Sequence, residues 1–257
     1  MTALTKPLKW YRRLSTAKGR KEAGAFLVEG DKAISQIVAS HPDEILEILT
    51  TSEPPGGYGQ FPVLTITERQ CRYICSTQTP QGIMAVVSLP QGIYTDRLPD
   101  LPGTNILLLE DIQDPGNTGT LIRTTAAFDY SGTIMSGRCA DPLSPKCVHA
   151  ASGTTLSTWI RRTNSYIDLA RQLKANGFTI IAADVKGSDT PDILEHRGKL
   201  LLALGNEASG LTEEILDLAE YRIAIPIKKD KAESLNVASC GAILMYLGTR
   251  FSLKRDQ

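Results

Sequence analysis

Residues 105–124 read NILLLEDIQDPGNTGTLIRT. The run Asn105 to Leu109 is short, apolar and bounded by polar residues, which suits a buried strand. Pro115, Gly116 and Gly119 then bend the backbone, and Asn117 is placed to cap a helix expected over Asn117 to Phe128. The same alternation continues downstream. Strands are expected at Thr133–Met135, Thr179–Ala183, Leu200–Leu204 and Tyr221–Ile225. Helices are expected near Ser144–Ala151 and over Tyr166–Asn176, Thr212–Ala219 and Ser234–Leu247. Alternating strands and helices of this kind predict an α/β fold, a mainly parallel sheet with helices on both faces.

Upstream, Pro90, Gly92, Pro99, Pro102 and Gly103 crowd a segment without periodicity, which reads as a linker. The chain is therefore expected to divide into residues 1–98 and residues 104–257. The first part reads as a basic helix, a strand at Phe26–Glu29, and a helix from Asp31 to about Ser40 with Asp31 serving its free N–H groups. Strands at Ile45–Thr50 and Pro62–Leu64, a helix at Thr67–Cys75 and a strand at Ile83–Leu89 complete a small α/β domain.

A chain of 257 residues with 42% hydrophobic and 22% charged residues can bury a substantial core, which excludes a disordered or collagen-like protein. Its longest apolar runs, such as Leu200–Leu204, fall far short of the ~20 residues of a membrane-spanning helix. The basic N-terminus lacks the apolar stretch of a secretory signal, and the five cysteines lack paired spacing, so a cytoplasmic location is expected.

Net charge is zero, with 28 basic and 28 acidic residues, but the charge is unevenly placed. Residues 1–21 carry Lys6, Lys9, Arg12, Arg13, Lys18, Arg20 and Lys21 and no acid, whereas residues 22–103 carry four basic and ten acidic residues. Cations interleaved with Trp10 and Tyr11 suit a phosphate backbone with stacked bases; a solvated terminal helix is the plainer alternative. Either reading makes the segment dispensable for folding.

Ligands of parallel sheets bind at the carboxyl ends of the strands. The phosphate loops of dinucleotide and P-loop proteins and the G-x-S-x-G elbow are missing there. His41, His149 and His196 are scattered and Cys71 with Cys75 lacks a second pair, so no metal site is expected. Three strand ends carry something else. Leu109 leads into the loop before Asn117 and Arg123, Leu204 leads into GNEASGL with Glu207 between Gly205 and Gly210, and Ile225 leads into PIKKDKAESLN. Asn117 and Arg123, six residues apart, do not share one stripe of a helix.

In order and spacing these three segments resemble the SpoU family, also called the TrmH family, of RNA ribose methyltransferases within the SPOUT superfamily. The resemblance covers residues 104–250. It rests on Asn117, Gly119 and Arg123, on Gly205, Asn206, Glu207 and Gly210, and on Ile225, Pro226, Ser234, Leu235 and Asn236. FLVEG at Phe26–Gly30 and TPQG at Thr79–Gly82 are similar, less specifically, to the substrate-binding domain that precedes it. The resemblance implies a trefoil-knotted domain that binds S-adenosylmethionine and works as a homodimer on RNA, with ribosomal RNA preferred over transfer RNA. It places Asn117, Arg123, Glu207, Ser234 and Asn236 in catalysis. It places Leu204, Gly205, Asn206, Gly210, Ile225, Pro226 and Leu235 at the cofactor. Ala238, Gly241 and Ala242 give the last helix a small-residue face suited to close packing, and Lys228, Lys229 and Lys231 lie where phosphates could be met. A non-catalytic RNA-binding protein is the competing reading, against which the full set of polar strand-end residues stands.

Overall fold

The computed structural model describes residues 5–53, 56–75, 77, 79–196, 198–228 and 230–249. In chain order the helices are α1 (Leu8–Arg13), α2 (Ala17–Ala23), α3 (Asp31–Ser40), α4 (Glu68–Ile74), α5 (Pro115–Ala127), α6 (Pro145–Ala151), α7 (Tyr166–Ala175), α8 (Glu213–Leu218) and α9 (Val237–Thr249). The strands are β1 (Ala25–Glu29), β2 (Ile45–Thr50), β3 (Val63–Thr65), β4 (Ile83–Ser88), β5 (Asn105–Leu109), β6 (Gly132–Ser136), β7 (Trp159–Thr163), β8 (Thr179–Ala183), β9 (Leu200–Leu204) and β10 (Tyr221–Ile223). They form two compact units, one of residues 1–91 with 141–157 and one of residues 92–140 with 158–257. This differs from a single cut in the linker, because the segment carrying α6 packs with the first unit.

The first unit holds a four-stranded sheet in the order β1-β4-β2-β3, antiparallel except for the β2–β3 pair. Successive side chains alternate between its faces. Leu27, Leu49, Met84 and Val86 point to a core shared with Tyr11 and Leu14 of the N-terminal segment and with Cys71 and Ile74 of α4. On the other side α3 and α6 pack against β1. Thr67 and Gln70 form a reciprocal capping box that starts α4. Asp31 caps nothing; its Oδ1 accepts from the Tyr58 hydroxyl at 2.5 Å.

The N-terminal segment is part of this core and not an arm. It forms two short helices, and a Cβ on Gly19 would lie 2.0 Å from the Arg13 carbonyl oxygen, so only glycine lets α2 close on α1. Tyr11 is 0% exposed, which removes it as a stacking ring. Arg20, 1% exposed, pairs with Asp141 at 2.6 Å and donates to the Leu14 carbonyl at 3.0 Å. The expectation that residues 1–21 are dispensable for folding is overturned, because hydrophobic burial and not charge organises the segment. Lys6, Lys9, Arg12, Arg13, Lys18 and Lys21 remain exposed, although Arg13 pairs with Glu22.

The second unit is built on a six-stranded, fully parallel sheet in the order β10-β8-β9-β5-β6-β7. The central strands β5 and β9 read as continuous leucine-rich runs because helices cover both faces. α7 and α8 pack on one face around Leu108, Leu169, Leu173 and Leu201, and α5 and α9 pack together, with α9 also against β9. A Cβ on Gly241 would meet Leu121 at 2.4 Å and Leu204 at 2.8 Å, so the small-residue face of α9 serves this close approach. β7 was not expected, since two arginines interrupt its apolar pattern. They are accommodated because Arg161 donates to the Arg97 carbonyl and lies over the Trp159 ring, while Arg162 donates to the carbonyls of Gly137 and Cys139. β10 ends at Ile223 and α9 begins at Val237, so Ile225 and Ser234 lie in the connection between them. Among the described residues no helix is long and apolar enough to cross a membrane.

Replacing Arg20 by Ala removes the buried guanidinium that pairs with Asp141 Oδ2. The expected cost is about 3–5 kcal/mol, the usual penalty for breaking a buried ion pair, and denaturant unfolding of the full chain measures it. A loss below about 1 kcal/mol would show that the pair is incidental to the first unit.

Candidate functional site

β5 and β9 run in parallel register, Asn105 opposite Leu200 through Leu109 opposite Leu204, and the Glu110 N–H continues the ladder to the Leu204 carbonyl at 2.9 Å. The loops that follow the two strands therefore leave the sheet side by side. The chain runs from β5 out to β6 and β7, and β8 to β10 fill the opposite side, so the order reverses between β5 and β9. A reversal of this kind opens a crevice at the carboxyl ends.

Asp114, not Asn117, caps α5: its Oδ1 accepts from the Asn117 N–H at 2.9 Å, with Pro115 at the first helical position. The Asn117 side chain is thereby free for tertiary contacts. Its Nδ2 donates to Glu207 Oε1, and its Oδ1 accepts from Asn236 Nδ2 at 3.1 Å. Asn236 in turn caps α9, its Oδ1 accepting from the N–H groups of Ala238 at 2.9 Å and Ser239 at 3.3 Å. Ser234, placed in catalysis by the resemblance, has no side-chain hydrogen bond among the described residues and lines both cavities described below. Asn117, Glu207 and Asn236, from three strand-end segments, thus form one chain of hydrogen bonds. Arg123 stands apart. It is exposed on α5, has no ion pair or hydrogen bond among the described residues, and lines neither cavity described next.

Two adjoining cavities of about 680 Å³ and 280 Å³ open beside this chain. Leu204, Gly205, Asn206, Glu207, Gly210, Ser234 and Leu235 line the larger, and Ile225, Pro226, Ser234 and Leu235 line the smaller. Asn206 shapes the wall by pairing its backbone with Gly210 at 3.1 and 2.9 Å. A Cβ on Gly205 would lie 2.3 Å from the Gly210 backbone, so the turn closes only with glycine there. Sequence reasoning missed the loop after β8. Asp184, Val185 and Gly187 line both cavities, and the signal was available, since DVKGSD at 184–189 follows an apolar strand as the other three segments do. Cys240 was also missed. It borders both cavities, and burial pushes its thiol up to about 11. Of the lysines in the loop before α9, Lys228 and Lys231 are exposed, and Lys229 lies outside the described residues. Among the described residues no group of three or more His, Cys, Asp and Glu is placed to hold a metal ion.

Residues 104–246, more than half of the chain, match the SpoU rRNA Methylase family. The chain belongs to that family. Residues 6–85 of this SpoU protein match the MRM3-like substrate binding domain. The 23S rRNA (guanosine(2553)-2'-O)-methyltransferase RlmP of Bacillus subtilis (strain 168) is 29% identical over 251 residues, 95% of this chain and 96% of the relative. The AdoMet-bound rRNA methyltransferase from Sinorhizobium meliloti superposes with a TM-score of 0.80 at 28% identity, covering 98% of this chain and 97% of that one. The SpoU methyltransferase AviRb from Streptomyces viridochromogenes in complex with AdoMet superposes with a TM-score of 0.79 at 25% identity, covering 96% and 97%.

Two measurements probe this site of the SpoU protein. Asn236→Ala removes both the cap of α9 and the tie to Asn117 and is expected to lower stability by about 1 kcal/mol. Asn236→Ser keeps a cap acceptor without setting a carboxylate against Asn117 Oδ1 and should lie within about 0.5 kcal/mol of wild type in the same unfolding experiment. The thiol of Cys240 stays protonated at neutral pH because burial disfavours the thiolate. Its alkylation by iodoacetamide should be slow at pH 7.5 and accelerate only as pH rises toward 11; modification at pH 7.5 at the rate of an ordinary exposed thiol would contradict the burial argument.

Proposed function

We propose that this chain transfers the methyl group of S-adenosylmethionine to a ribose 2′-hydroxyl of ribosomal RNA, acting as a homodimer in the cytoplasm. The observation that carries the reading is the meeting of Asn117, Glu207 and Asn236 at the edge of the paired cavities, while Arg123 on the same helix as Asn117 stays free. Family membership and full-length relatives named as 23S rRNA methyltransferases support the substrate class.

The residues fit the cofactor. The combined space is of the size that small-molecule sites occupy, roughly 300–1,000 Å³. Ile225, Leu235 and Leu244 make the smaller cavity apolar enough for an adenine ring, and Asp184 and the backbone of the 205–210 turn give the larger one acceptors and donors for the charged amino-acid part. The knot expected of the C-terminal segment belongs to this reading.

S-adenosylmethionine supplies the methyl group as a sulfonium substituent. The protein must align the hydroxyl with it and stabilise the oxygen as its proton passes to solvent water and the sulfur departs as a neutral thioether. A guanidinium is a poor base, so Arg123 acts as a permanent cation, gripping the phosphate beside the target ribose and countering charge on the oxygen. Asn117 is held from both ends, by Glu207 and by Asn236, and presents a rigid edge to the nucleotide. Glu207 is committed to Asn117 and acts by positioning. The first unit engages the RNA through its exposed cations, with Arg20 and Tyr11 withdrawn into the core.

Incubating the full chain with methyl-labelled S-adenosylmethionine and bulk ribosomal RNA should place label on a ribose. Arg123→Ala should reduce transfer at least a hundredfold while leaving cofactor affinity by calorimetry within twofold of wild type. No transfer by wild type, or loss of cofactor binding in a folded Arg123→Ala protein, would overturn the assignment.

A further inference from the structure

We infer that the consecutive acids Glu110 and Asp111 are positioning residues that set the affinity for S-adenosylmethionine by clasping both ends of the cavity wall at residues 205–211. The inference rests on the function proposed above. Every residue from Gly205 to Leu211 lines the larger cavity. At the far end of this wall, the Glu110 carboxylate accepts from the Thr212 N–H at 2.7 Å and from its hydroxyl at 2.8 Å, and also from the Tyr166 hydroxyl. At the near end, the Asp111 carbonyl accepts from Asn206 Nδ2 at 2.9 Å.

Both anchors are themselves fixed. Glu110 is 1% exposed, and its three donors come from one residue of the loop and one of α7. Hydrogen bonds to a buried carboxylate are strong and, when broken, leave a charge without solvent. Asp111 sits at φ 57°, where non-glycine residues are uncommon. It is held there by Ser136, which accepts from its N–H at 3.0 Å and donates to its Oδ1 at 2.7 Å, and by Arg138 at 3.2 Å. That conformation turns the carbonyl toward Asn206. The segment that bears the clasp also leads directly into α5 and Asn117. The two residues therefore fix the wall carrying Glu207 relative to the helix carrying its partner. A wall held in its bound shape need not be ordered when the ligand arrives, and affinity rises accordingly.

Calorimetry of S-adenosylmethionine binding to the full chain, corrected for the folded fraction, tests this. Thr212→Val and Glu110→Gln should each weaken binding about tenfold. The double variant should be no weaker than the worse single one, since both break the same tie. Thr212→Ser should bind like wild type. Asp111→Asn, which tolerates positive φ, should stay within about threefold, whereas Asp111→Val should lose about tenfold. Should Glu110→Gln fail to fold, the exposed Thr212 carries the comparison through its Val and Ser variants. Lower melting temperatures with unchanged affinity, or equal affinities for the Val and Ser variants, would make Glu110 and Asp111 structural residues only and overturn the inference. Failure of wild type to bind S-adenosylmethionine would instead overturn the proposed function.

Discussion

The parallel pairing of β5 with β9 governs the second unit. With Leu109 opposite Leu204, two segments almost a hundred residues apart leave the sheet as neighbours, and everything at the site follows from that adjacency. The pairing is held by backbone hydrogen bonds and by burial of leucines on both faces, neither of which needs a functional residue. The strands can thus be bland while their ends are not. Polar groups that would be costly inside the sheet are placed in the segments beyond it, where they meet one another.

The polar groups there do two tasks at once. Asn236 caps α9 with its carbonyl and holds Asn117 with its amide. Asp114 caps α5 with its side chain and so releases Asn117 from that duty. Glu110 and Asp111 bind the wall that carries Glu207. Helix capping, loop anchoring and alignment of the site are one network, in which each member limits the freedom of the next. Arg123 lies outside it, exposed and with no ion pair or side-chain hydrogen bond among the described residues.

The first unit shows how charge misleads when burial is unknown. Seven cations in residues 1–21 suggest an electrostatic arm, yet Tyr11 and Leu14 between them are core residues and Arg20 is neutralised by Asp141 from a segment more than a hundred residues away. Four residues of spacing between Tyr11 and Ser15, or three between Tyr11 and Leu14, look the same in a solvated helix and in one packed on a sheet. The partner surface decides, and it lies elsewhere in the chain.

The sequence alone determined the α/β class, the strands whose apolar runs are uninterrupted, and the strand ends bearing Asn117, Glu207 and Asn236, because hydrophobic periodicity and turn chemistry are local. It also marked Leu204, Gly205, Asn206, Gly210, Ile225, Pro226 and Leu235, all of which come to line the cavities. It did not reveal β7, whose two arginines are stabilised only by carbonyls from distant loops, nor the placing of 141–157 with the first unit. Which side chain caps which helix, whether Glu207 holds Asn117 or Arg123, and the clasp on residues 205–211 were settled by tertiary structure. These are contacts between segments whose separation in sequence carries no trace of their distance in space, and strand order and register alone bring them together.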